Sequence, residues 1–281
     1  APSLVRACGS SLGGARGRQG ERAVTATPLT ITSRDNPLLK RLRLLAQDGT
    51  AYRKQGQVWL EGDHLCRALL ARGLRPLTAV FTDAFWPRAP HDLRDASDHV
   101  VIVPDALMAG ISGLESPAGV GFVWALPPVS AVQGGVATVV LDRLQDAGNV
   151  GSILRSASAF GFGQVLALKG TAALWSPKVV RAGMGAHFGL RLIEGLAVHD
   201  LAALGVPMLV TSSHQGDWLH QARLPWPCAW VLGHEGQGVG EGLMAQATAF
   251  VRIAQPGGEE SLNVAAAAAI CLHAGAVRSA V

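Results

Sequence analysis

From Val136 onward the chain repeats one pattern: a short run of β-branched and aliphatic residues, a turn, then a stretch of helical character. VATVVLD (136–142), QVLAL (164–168), LRLIEG (190–195), VPMLVTSS (206–213), CAWVLG (228–233) and AFVRIA (249–254) read as strands. Most are continuously apolar rather than alternating, as strands covered on both faces are. Helices are expected over NVGSILRSASAFG (149–161) and over SPKVVRAGMGA (176–186), where Pro177 suits the first turn. Further helical segments are expected after Val198 and Gly240, and through the alanine run after Asn263. Strands alternating with helices predict an α/β domain with a mostly parallel sheet over 136–281.

Residues 30–126 predict a smaller α/β domain. NPLLKRLRLLAQ (36–47) sets Leu38, Leu39, Leu42, Leu45 and Ala46 on one helical face, and DHLCRALLARG (63–73) is a helix closed by Gly73. VWLEG, LTAVFTD and HVVIVP read as strands. Residues 127–135, opened by Pro127-Pro128, form a linker. Residues 1–29 carry no apolar periodicity and no secretory core; they read as a disordered tail, with an organellar transit segment as the other reading.

Several function classes are excluded by what the chain lacks. Its longest apolar run, 264–272, falls far short of the roughly 20 residues a membrane span needs. The cysteines (Cys8, Cys66, Cys228, Cys271) have no paired spacing, which points to a reducing compartment and away from disulfides or zinc; no metal is expected. The glycine-rich VLGHEGQGVGEG follows a late strand, so it is no dinucleotide fingerprint, and no phosphate-binding Gly-Lys-Ser/Thr loop occurs. The net charge is +4, but nine Lys/Arg face only four acids between Arg34 and Arg75. That local excess suggests a polyanion surface, with a solvated helical face as the competing reading.

In an open parallel sheet, ligands gather at the carboxyl ends of strands. Three polar clusters stand there. DRLQDAGNVGSILR brings Asn149, a good helix cap, and Arg155 after the first strand of the domain, a combination that suits phosphate. Gly233-His234-Glu235-Gly236 follows CAWVLG, and Ser261-Leu262-Asn263-Val264 opens the alanine helix, where Ser261 or Asn263 could serve merely as a cap.

Together these three motifs resemble the SpoU, or TrmH-like, branch of the SPOUT RNA methyltransferases: Asp146-Ala147-Gly148-Asn149-Val150-Gly151 leading to Arg155, then Gly-x-Glu-Gly, then Ser-Leu-Asn-Val. WSPKVVRAGMGAHF (175–188) resembles the family's central helix, and SRDNPLLKRLRLLAQ with WLEGDHLCRALL resembles the substrate-binding domain often found ahead of it. Three positions depart from the pattern: Ala147 stands for proline, His234 for asparagine, and Ile253-Ala254-Gln255 for Ile-Pro-Met. The resemblance implies a C-terminal parallel-sheet domain with a trefoil knot. It also implies transfer of a methyl group from S-adenosylmethionine to a ribose 2′-hydroxyl of RNA. Asn149, Arg155, Glu235, Ser261 and Asn263 match the family's catalytic and RNA-positioning groups; Gly233, Ile253 and Leu262, with Thr211 as a weaker candidate, match its cofactor contacts. The added N-terminal domain favours ribosomal over transfer RNA, with Arg41, Arg43, Arg53 and Lys54 as RNA contacts. A homodimer in the cytoplasm is expected. The competing readings are the same chemistry on tRNA, base methylation, and a non-catalytic RNA-binding member of the fold.

Overall fold

The computed structural model describes residues 27–212, 214–258 and 261–279. The first 26 residues of the predicted tail, Cys8 among them, lie outside these, as do Glu259 and Glu260 of the Gly-Gly-Glu-Glu loop.

The N-terminal half runs β1 (Leu29–Thr30), α1 (Pro37–Gln47), α2 (Ala51–Gln55), β2 (Gln57–Glu61), α3 (Asp63–Ala71), β3 (Thr78–Thr82), α4 (His91–Arg94), β4 (Val100–Val103), α5 (Asp105–Ile111) and β5 (Val120–Ala125). Helix α1 starts where the sequence places it. The Asn36 side chain accepts from the Leu38 amide at 2.9 Å, Pro37 takes the first helical position, and Leu39, Leu42, Leu45 and Ala46 are buried. The strands form one sheet in the order β1-β4-β3-β5-β2, in which β5 runs antiparallel to β2 and β3. Leu29, the last residue of the predicted tail, instead pairs with Val101. Two residues are too few to show periodicity, so sequence reading misses such a strand.

The C-terminal half runs β6 (Thr138–Leu141), α6 (Ala147–Ala159), β7 (Gln164–Leu168), α7 (Pro177–Gly183), β8 (Arg191–Leu196), β9 (Met208–Thr211), β10 (Asp217–Trp218), β11 (Ala229–Leu232), α8 (Glu241–Met244), β12 (Ala249–Arg252) and α9 (Val264–Ser279). Every pairing in its seven-stranded sheet, β10-β12-β9-β11-β6-β7-β8, is parallel. Strands β6, β7 and β11 are wholly buried, as their unbroken apolar runs require. Gly151 of α6 shows why this helix is built of small residues: a Cβ there would sit 2.3 Å from the Cβ of Ala182 on α7.

Aromatic and polar contacts join the two halves. Trp124 on β5 packs against Trp175 and edge-on against Phe188, with ring centroids 5.7 and 5.5 Å away. The Tyr52 hydroxyl donates to Glu194 on β8 at 2.6 Å. The linker is tied down as well: the buried Gln164 side chain accepts from the Gln133 amide and donates to its carbonyl. Among the described residues no helix is long and apolar enough to cross a membrane.

Candidate active site

The carboxyl ends of β9, β11 and β12 and the start of α9 enclose a cleft of ≈ 350 Å³, in which Thr211, Gly233, Glu235, Ile253, Ser261, Leu262 and Asn263 come together. They derive from segments up to 52 residues apart, Thr211 to Asn263. Asn149, on α6, joins them through side-chain hydrogen bonds.

Those bonds have a fixed direction. Asn149 Nδ2 donates to the Glu235 carboxylate at 3.3 Å, and a carboxylate only accepts. Asn149 Oδ1 therefore faces Asn263, whose Nδ2 donates to it at 3.0 Å. Asn263 Oδ1 in turn accepts from the Ala265 and Ala266 amides at 2.9 and 3.2 Å, capping α9. Acceptor-only oxygens at one end and helix amides at the other orient both amides between them.

Capping on α6 differs from the sequence expectation. Asp146, not Asn149, is its N-cap; the Asp146 carboxylate accepts from the Asn149 amide at 2.7 Å. The helix thus begins earlier, and the Asn149 side chain is left for Glu235 and Asn263. Ala147 occupies the first helical position, where proline is favoured because its missing N–H is not needed. The exchange of proline for alanine therefore removes no hydrogen bond.

His234 keeps the turn that asparagine would make: its Nδ1 accepts from the Gly236 and Gln237 amides at 3.0 and 3.2 Å. In an asparagine, Oδ1 stands at the equivalent position on Cγ. The turn closes through paired backbone bonds between His234 and Gly238. It also explains Gly233, since a Cβ there would lie 2.3 Å from the backbone of Gly238 and Val239. Thr211 contributes less: its hydroxyl donates to the Val231 carbonyl at 3.1 Å.

Arg155 is not brought to this cluster. It is exposed on α6, makes no hydrogen bond or ion pair with any described residue, and does not line the cleft. Six residues along a helix correspond to about 9 Å and about one and two-thirds turns, so Arg155 stands on a different face of α6 from Asn149. Glu235 therefore orients Asn149 and not Arg155.

Sequence reading passed over Asp142 and Arg143. Arg143 holds φ +58 at the end of β6, in the left-handed region that non-glycine residues rarely enter. Its amide donates to Thr171 Oγ1, and its guanidinium grips Asp142 at 2.8 and 3.0 Å and reaches Gln237 Oε1 at 2.9 Å. The buried Asp142 carboxylate also accepts from the Gly240 amide at 2.7 Å. The pair fastens the glycine-rich loop carrying Glu235 to the adjacent strand end. An Asp-Arg dipeptide closing a buried strand was the available signal.

The predicted N-terminal RNA contacts are divided. Arg43 Nε donates to the Gly110 carbonyl, and Arg53 binds the Tyr52 hydroxyl and lies 3.8 Å from Glu194. Arg41 is half-buried, with Nε unpartnered, and Lys54 is exposed. Acids from elsewhere in the chain temper the basic segment: Arg67 pairs with Asp92 and Arg75 with Asp98.

Residues 137–273 match the family model described as the SpoU rRNA Methylase family. An uncharacterized tRNA/rRNA methyltransferase of Synechocystis is 32% identical over 89% of this chain and 94% of its own length. A 23S rRNA guanosine 2′-O-methyltransferase of Bacillus subtilis is 29% identical over 76% of this chain and 86% of its own. The crystal structure of an AdoMet-bound rRNA methyltransferase from Sinorhizobium meliloti aligns with a TM-score of 0.76 at 26% identity, covering 89% of this chain and 97% of that one. With Asn149 of the first motif hydrogen-bonded to residues of the other two at one cleft, and a relative matched over nearly its whole length, the chain belongs to the SpoU/TrmH-like branch of the SPOUT RNA methyltransferases.

Proposed function

We infer that the protein transfers a methyl group from S-adenosylmethionine to a ribose 2′-hydroxyl of ribosomal RNA. The observation that carries this is the directed chain Glu235–Asn149–Asn263 at the edge of a cleft built from three loops. The Bacillus and Sinorhizobium relatives, named as rRNA methyltransferases, support the substrate.

The cleft suits the methyl donor. Backbone groups at Gly233, Ile253 and Leu262 would hold it, with Thr211 beside them. Gln255, which also lines the cleft, has a buried side-chain oxygen with no hydrogen-bond partner. A buried acceptor is costly unless paired, and the amino groups of this donor would satisfy it. Gln255 is one of the departures from the family pattern, so this contact would be particular to chains that share it. When bound, S-adenosylmethionine supplies a methyl group already activated by its sulfonium.

The protein's part is positioning, which in well-oriented intramolecular reactions amounts to about 7–11 kcal/mol. Asn149, Asn263 and Ser261 orient the ribose, and Glu235 fixes the amide of Asn149. Arg155, exposed on α6 outside the cleft, holds a neighbouring phosphate of the RNA through its planar guanidinium fork. Arg41, Arg43, Arg53 and Lys54 are the proposed phosphate contacts of the 30–126 substrate-binding domain, which the 127–135 linker joins to the 136–281 methyltransferase domain.

The same reading includes the trefoil knot. Its support is that β12 inserts between β10 and β9 while α9 returns to pack on α6 and β11. It includes a homodimer as well, supported by an apolar hollow lined by Phe160, Leu219 and Ile270, with Ile270 and Val277 exposed. A cytoplasmic location belongs to the same reading, supported by the bacterial rRNA methyltransferase relatives. Mapping ribose methylation across total RNA with and without the protein tests the assignment: one ribosomal position should lose its methyl group, whereas loss only on tRNA, or none, would overturn it.

A further inference from the structure

A second concavity, of ≈ 1030 Å³, opens where the two sheets meet, at β8. Strand β8 ends the seven-stranded sheet, and at about 4.8 Å per strand it lies roughly 14 Å from β11 and the cleft. The opposite wall is the linker segment after Leu126, where Val129 is 95% exposed beside two prolines. Phe188 also lines the concavity, half-buried against Trp124.

The charges lining this groove are Arg53, Arg72, Arg191 and Glu194. Glu194 is already occupied by the Tyr52 hydroxyl, the Leu174 amide and Arg53. Arg72 and Arg191 are exposed and have no acidic partner among the described residues. Arg72 also has a seat: a Cβ on Gly189 would stand 2.6 Å from both of its terminal nitrogens, so glycine leaves the guanidinium its place. Solvated arginines need neither a seat nor an aromatic beside them. Guanidinium groups flanking an aromatic and apolar groove match a nucleic-acid strand, with phosphates on the arginines and a base against the ring.

We propose that this groove is a second RNA-docking site, holding a stretch of the substrate remote from the reacting ribose. The proposal rests on the RNA reading above. Its test measures binding of protein-free, fluorescently labelled ribosomal RNA made by transcription, as a function of salt, for the wild type and for Arg72→Ala/Arg191→Ala. Losing two phosphate contacts to a single strand should lower the slope of log affinity against log salt by about 1.4 and weaken binding several-fold. Calorimetric S-adenosylmethionine affinity should stay unchanged, because neither arginine lines the cleft. A photoreactive p-benzoylphenylalanine at Val129 should crosslink to the RNA.

An unchanged slope with no RNA crosslink would overturn the proposal, as would crosslinking only to a second copy of the chain. Failure of the underlying reading would look different: wild-type protein would then show no salt-dependent affinity for the transcript at all. Should the double variant fail to fold, Arg191→Glu alone carries the same expectation, with a larger loss of affinity.

Discussion

Replacing Asn263 by aspartate separates the two contacts of that side chain. Its oxygen caps α9 through the Ala265 and Ala266 amides, and its nitrogen donates to Asn149. Asn263→Ala removes both, at about 1 kcal/mol for the cap and up to about 1 kcal/mol for the exposed side-chain bond. At roughly 2–4 °C per kcal/mol, the melting temperature should fall by about 3–6 °C. Asn263→Asp retains an oxygen for the cap, and its charge favours the helix N-terminus by a few tenths of a kcal/mol, so its stability should equal or exceed wild type.

Its effect on turnover is the reverse. Asn149 would then lie between two carboxylates, Glu235 and Asp at position 263, with one donor nitrogen and one acceptor oxygen. Whichever way the amide turns, one contact sets oxygen against oxygen. If the chain positions the ribose, the misplacement should lower single-turnover methyl transfer by about 10²-fold, while S-adenosylmethionine affinity changes little. Thermal unfolding and single-turnover transfer of labelled methyl groups to ribosomal RNA read the two effects separately. Wild-type turnover in Asn263→Asp would refute the directional argument. A melting temperature as low as that of Asn263→Ala would refute the assignment of the cap.

Other variants probe the remaining groups. Arg155→Ala, which loses no hydrogen bond or ion pair to any described residue, should keep the wild-type oligomeric state and bind S-adenosylmethionine normally yet lose methyl transfer, and Arg155→Lys should restore little because an ammonium lacks the planar fork; near wild-type turnover on the true RNA would sink the role. Gly233→Val should abolish cofactor binding by displacing the 234–238 turn, since its Cβ would meet the Gly238 and Val239 backbone at 2.3 Å, and undiminished calorimetric affinity would contradict this. His187 is fully buried, donating to the Leu174 carbonyl, and burial holds its pKa down at about 4, against 6.5 in the unfolded chain. The unfolded chain therefore takes up its proton first as pH falls, so about 3 kcal/mol of stability is present above pH 6.5 and lost as pH falls toward 4. His187→Gln should flatten that part of the melting profile, and an unchanged acid slope would exclude His187 as its source.

What was legible in the sequence was local. The apolar face of α1 and the unbroken strands β6, β7 and β11 depend on neighbours within a few residues, and each stands where pattern alone puts it. Strands β1 and β10 did not show, being two residues long, and β5 was hidden because Gly121 interrupts its apolar run. That glycine has a structural cause: a Cβ there would lie 2.2 Å from the Trp59 ring on the paired strand β2. Charge misleads for a related reason. A window from Arg34 to Arg75 counts only the acids inside it, while Asp92, Asp98 and Glu194 reach its arginines from elsewhere.

The same limit governs the candidate site. Motif spacing brought out residue types: three glycine-bearing loops, two asparagines and a glutamate. It could not assign the α6 cap, because Asp146 and Asn149 are both capping residues three apart, and only the fold shows that Asp146 takes the helix amide and releases Asn149. Nor could it show that Asn263 is both a cap and a donor to Asn149, 114 residues away in sequence. Cap and polar contact looked like rival explanations of Asn263. An amide has an acceptor end and a donor end, so one side chain satisfies both, and a helix that begins correctly sets the direction of the polar chain leading to Glu235.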